Sequence, residues 1–196
     1  MNDIDKLTSE PGTNLILAAP HFQLEQASFY SDWALRALEM GATSSSLVKL
    51  ATLEPDCPTE EIAHLISQVV AELRGENVNR EQAAALVILE SLSTLTGDTQ
   101  ACWLELQKLR LLADVPETVR HLCQEIETLD LELSRAGEQG AVFKSVAEGV
   151  QFIKGAAARF VEHSTVRLLE QEGKFLAEVR IPSSLIAELC NSATAE

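Results

Sequence analysis

The chain has 196 residues, of which 46% are hydrophobic, and carries a formal net charge of −15 with a mean hydropathy of +0.04. Such a composition buries a real core, which excludes disorder over the bulk of the chain. The acidity repels a phosphate backbone, so binding to nucleic acid over a broad face is not expected. The acidic surplus is uneven: residues 1–135 hold 9 Lys and Arg against 22 Asp and Glu, and residues 136–196 hold 6 against 8. A basic protein partner suits such a surface, with simple solubility as the plain alternative.

No uninterrupted apolar run reaches the roughly 20 residues of a membrane span. The opening MNDIDKLTSE lacks the basic-then-apolar order of a secretory signal, so a cytoplasmic location is expected. Four widely spaced cysteines (Cys57, Cys102, Cys123, Cys190) form no CxxC pair, and no disulfide framework is expected. Cys57, in Glu54-Pro-Asp-Cys-Pro58, is the one in an evident loop.

Residues 1–24 read as an N-terminal arm: polar to Asn14, then the short apolar run to Phe22, broken by Pro20, with helix or strand left open. A helix follows from about Glu25 to Met40, where Phe29, Trp33, Ala37 and Met40 repeat at helical spacing, with Tyr30, Ala34 and Leu38 beside them, before Gly41. The Ser44-Ser-Ser46 cluster caps a short helix ended by Pro55 and Pro58. A third helix runs from Thr59 to about Arg74, its acidic first turn matched to the helix dipole and Ile62, Leu65, Ile66, Val69, Val70 and Leu73 turned inward.

Asn79 caps the next helix, Glu81–Leu95, in which Ala83 to Leu89 leave no polar face. A helix apolar all round is stable only when covered on every side, so this one is expected to be central. A fifth helix is predicted over Thr99–Ala113 with Trp103, Leu106, Leu109 and Leu112 inward. Pro116 opens a sixth, where Val119, Leu122, Ile126, Leu129, Leu133 and Ala136 alternate steps of three and four, the pattern of a helix-on-helix seam. At little more than two heptads, packing on the body is favoured over homodimerisation through Val119–Ala136.

Ala136-Gly-Glu-Gln-Gly140 is the expected boundary. Helical spacing resumes at Val142 and Phe143 and continues to about His163. From Thr165 to Ile181 apolar and polar residues alternate about Gln171-Glu-Gly-Lys174, a β-hairpin pattern, with helix over Phe175–Arg180 as the alternative. A last short helix is expected at Leu185–Cys190.

The fold class is therefore mainly α: a compact multi-helix bundle at 25–136 with a smaller helix-plus-hairpin unit at 141–196. Chemistry-bearing clusters are sparse. His121 and Cys123 lie two apart and diverge on a helix, which leaves only His121 and Glu125 on one face, too few for zinc. Arg159 and His163, beside Glu162, read as a surface ion-pair region rather than phosphodiester chemistry. His21 and His64 have no nucleophile or orienting carboxylate nearby in sequence. The glycines at 137–140 and 149–155 match no phosphate-cradling loop. No catalytic residue, metal or cofactor is expected. The expected function is non-enzymatic binding of a protein partner, as an inhibitor, immunity-type protein, adaptor or complex subunit. Glu60, Glu61, Glu72, Glu125, Glu127 and Glu132 are the candidate contact residues. An enzyme or small-ligand sensor with a site assembled from distant residues is the first alternative, and a self-assembling subunit the second.

Overall fold

A computed structural model of the chain describes residues 7, 10–22, 26–72, 78–95, 117–171 and 174–186, without the side chains of 118, 167–171 and 174–177. Seven helices are present among them: α1 Thr13–Ala18, α2 Ala27–Glu39, α3 Ser45–Ala51, α4 Thr59–Glu72, α5 Arg80–Leu95, α6 Glu117–Ser134 and α7 Val146–His163. Two strands, β1 Thr165–Gln171 and β2 Lys174–Arg180, pair as the expected hairpin. The protein is mainly α with a small sheet. The predicted helix over Thr99–Ala113, with Trp103, lies outside the described residues, as do most of the final helix and the turn at Gly173.

Contacts divide the chain into two units, residues 1–86 with 166–178 and residues 87–165 with 179–196. In the first, α2 packs on α3 and α3 on α4. Trp33 and Ala37 of the expected stripe, with Tyr30 and Ala34 beside it, face its core, and Phe29, Leu38 and Met40 flank them partly buried. Ile62, Leu65, Ile66, Val69 and Val70 of α4 are buried as the spacing predicts. Each fully buried side chain of this size stabilises the fold by about 1.5–3 kcal/mol relative to exposure.

The unresolved choice at Asn14–Phe22 falls to helix, and Leu7, Ile16 and Ala19 join this core. Trp33 explains part of the docking. Its indole N–H donates to Thr13 Oγ1 at 3.1 Å, and the Thr13 hydroxyl donates to the Leu7 carbonyl at 2.5 Å. A buried indole needs such an acceptor, and Thr13 is placed by α1 to supply it. Farther along, His21 Nε2 donates to the Val78 carbonyl at 2.7 Å, and the Arg80 guanidinium lies 5.6 Å from the Phe22 ring centre.

Helix α5 begins with a reciprocal cap. Asn79 Oδ1 accepts from the Gln82 N–H at 2.8 Å while Gln82 Oε1 accepts from the Asn79 N–H at 3.0 Å, closing two N–H groups that the first turn leaves open. Every residue from Ala83 to Leu89 is buried, as are Leu92 and Leu95. The all-round apolar pattern thus corresponds to a covered helix. Up to Leu86 it belongs to the first unit and from Val87 to the second.

In the second unit α6 packs on α7. The seam residues Val119, Leu122, Ile126, Leu129 and Leu133 are at most 5% exposed within a single chain, so a second copy would have to displace packing already in place. Helix α7 starts at Val146, not at Val142 as its spacing suggests. Ser145 is extended (φ −154, ψ 158) and its hydroxyl accepts from the Glu148 N–H, while the Glu148 carboxylate accepts from the Lys144 N–H at 2.8 Å. That cap outweighs the apolar periodicity of Val142 and Phe143. The preceding connection turns through Gly137 and Gly140 at φ of 88° and 86°, values that favour glycine.

Candidate functional site

A concavity in the first unit lies where α3 meets α4. Pro55 and Pro58 prevent α3 from continuing, and the chain turns with the Cys57 N–H on the Glu54 carbonyl at 3.1 Å. Helix α4 then starts from the Pro58 carbonyl, which accepts from the N–H groups of Glu61 and Ile62. The result is a cleft of about 650 Å³ lined by the apolar Leu53 and Leu65 and by Glu54, Asp56, Cys57, Glu61, His64 and Gln68. Lys49 is the one cationic side chain in its lining.

Three carboxylates surround one thiol there. Partial burial, then the charge and hydrogen bonding of Glu61, then Asp56 and Glu54, push the Cys57 thiol above its ordinary value. A nucleophilic cysteine needs the opposite environment, one that favours thiolate. His64 does not supply it. The Gln68 amide nitrogen, 3.0 Å from His64 Nε2, can only donate, so Nε2 is occupied as an acceptor. The arrangement suits electrostatic capture of a cation rather than attack by sulfur. Among the described residues, no group of three or more His, Cys, Asp or Glu is placed to hold a metal.

The six glutamates expected at a partner surface separate into two kinds. Glu60 and Glu61 are exposed in the first turn of α4, beside the cleft, and Glu127 is exposed on α6. Glu72, at the other end of α4, is bound to α3. It accepts from the hydroxyls of Ser44, Ser45 and Ser46, the last at 2.7 Å, and from the Ser46 N–H at 3.0 Å. The Ser44 and Ser46 hydroxyls, then the Ser46 N–H, lower its pKa from 4.5 to about 2. Ser44 also caps α3 directly, accepting from the Leu47 N–H at 3.0 Å. Glu125 accepts from the Ser184 hydroxyl and the Leu185 N–H, each at 2.7 Å. Glu132 accepts from the Val142 N–H at 3.4 Å and lies 3.6 Å from Arg135. These three carboxylates join segments of the fold, and Glu60, Glu61 and Glu127 face solvent.

The other sequence candidates stay apart. His121 donates through Nε2 to the Ser183 carbonyl, and Cys123, on the same helix, is a free, partly buried thiol. Arg159 and His163 lie on α7, the first partly buried and the second exposed. Lys49, Glu54, Asp56 and Gln68 were not singled out from the sequence. The proline-flanked Cys57 loop was the one signal pointing to their meeting place.

No protein-family model, curated protein or solved structure matches this chain. Among the described residues no helix is long and apolar enough to cross a membrane.

Proposed function

We propose that this protein is a non-enzymatic interaction module that captures a basic protein partner on the acidic face of α4 and its adjoining cleft. The observation that carries this reading is the convergence of Glu54, Asp56 and Glu61 on one open cleft, with Glu60 exposed beside it. An ammonium or guanidinium group entering there meets three carboxylates against the single ammonium of Lys49. Attraction of that kind accelerates encounter more than it raises final affinity. The inhibitor, immunity-type, adaptor and complex-subunit roles share this chemistry and differ only in what the partner does.

The test compares the native chain with the double variant Glu60→Lys, Glu61→Lys. Glu72, Glu125 and Glu132 are left intact because their carboxylates hold segments together. Partners recovered with the native chain are purified and their association rates measured at low and high salt. A rate that falls with salt and with the charge reversals supports the reading. Recovery of no protein partner, together with turnover of a small molecule, would replace it with the enzyme class.

A further inference from the structure

Residues 183–186, which follow β2, are held to α6 by polar side chains of that helix. His121 and Glu125 stand one helical turn apart on α6 and both reach residues about sixty positions away. His121 Nε2 donates to the Ser183 carbonyl. Glu125 Oε1 accepts from the Ser184 hydroxyl at 2.7 Å, and Oε2 accepts from the N–H groups of Leu185 at 2.7 Å and Ile186 at 3.3 Å. Leu185 is 1% exposed, whereas Ser183 is exposed and Ser184 and Ile186 are partly buried. Among the described residues of this segment Leu185 is the one fully buried apolar side chain, and its polar contacts to α6 are exposed at Ser183 and only part-buried at Ser184, Leu185 and Ile186. Few buried apolar contacts and solvent-accessible hydrogen bonds are the marks of a region that opens before its surroundings unfold.

We propose that residues 183–186 form a strap latched to α6 by His121 and Glu125, which opens as a unit while α6 and α7 remain folded. Opening uncovers the seat of Leu185 and frees the Glu125 carboxylate and His121 imidazole beside it. This face of α6 therefore alternates between a covered and an uncovered state. The two oxygens of Glu125 divide the work, since one takes the hydroxyl and the other takes both N–H groups. A glutamine retains one acceptor oxygen and can replace only one of those two functions.

Native-state hydrogen exchange of the Leu185 and Ile186 amides tests this, read against Leu122 and Ile126 in α6 and Ile153 in α7. In the native chain the two strap amides should be protected, yet exchange faster than the core amides and with little dependence on denaturant. Glu125→Gln should speed them about tenfold, the effect of losing one typical hydrogen bond, and Glu125→Ala should speed them further. Core amides should stay unchanged in both. Ser184→Ala, which removes the hydroxyl bond to Glu125 but leaves both N–H bonds, provides a milder variant should Glu125→Ala not fold. Strap amides that exchange only together with α6 would overturn the proposal. So would Glu125 and Ser184 variants that accelerate strap and core alike, or unprotected strap amides in the native chain.

Discussion

Gly149 is a helical glycine whose replacement by alanine tests the packing of α7 on α6. On helix propensity alone, Gly149→Ala should stabilise by about 0.8–1 kcal/mol. The surroundings oppose this. A Cβ at position 149 would lie 2.6 Å from Leu133 Cδ1 and 2.8 Å from Phe143 Cδ2. Leu133 is 1% exposed and Phe143 4% exposed, and the Phe143 ring lies against Phe152 with centroids 5.5 Å apart. Both neighbours are buried, so the overpacking cost of about 1–3 kcal/mol applies. The balance is a net loss of about 1 kcal/mol, readable as a lower urea midpoint at unchanged slope. In a Leu133→Ala background the penalty should shrink, because the nearer obstacle is gone, and the double-mutant cycle isolates that coupling. A gain of about 1 kcal/mol in the native background would refute the close approach of α6 and α7.

Leu86→Ala, at a side chain with no exposed surface, should cost about 2–5 kcal/mol in denaturant melts, and a loss below about 1 kcal/mol would show that α5 is not a central helix. Glu72 makes a pH prediction. Because its folded pKa, about 2, lies below the ordinary 4.5, its contribution is complete above 4.5 and is lost as pH falls toward 2. The stability difference between the native chain and Glu72→Gln should shrink over that window, and a difference constant with pH would remove the serine clamp from the account.

What could be read from the sequence was what depends on near neighbours. The apolar run Ala83–Leu89 can be stable only when covered, and it is covered. The Val119–Leu133 steps specify one face of α6, and residues 165–180 alternate as a hairpin should. Ser44 and Asn79 were recognisable as caps because their partners lie three residues away. Periodicity failed at the start of α7, where Val142 and Phe143 extend the apolar pattern but Ser145 sets the boundary. At Asn14–Phe22 a short apolar run and a proline fit either structure, and the long-range bond from Trp33 to Thr13 has no local signature.

The candidate site was less legible for the same reason. Composition announces acidity without saying which carboxylates remain available. Glu72 meets its serines 26 to 28 residues away, and Glu125 meets its strap about 60 away. No local pattern distinguishes these engaged glutamates from Glu60, Glu61 and Glu127. The cleft likewise needs the end of α3, a proline-flanked loop and the first turns of α4 to come together.

The central claim is that exposed acidic residues draw in a basic protein. Its most direct measurement is the association rate constant of a purified partner across a salt series, for the native chain and for Glu60→Lys, Glu61→Lys. Surface reversals of this kind should leave each site's stability within about 0.5 kcal/mol, so equal melting curves establish that both chains are folded. The native rate should fall steeply as salt screens the charges, and the variant rate should be lower and fall less steeply. Equal rates for the two chains, unchanged across the salt series, would contradict it.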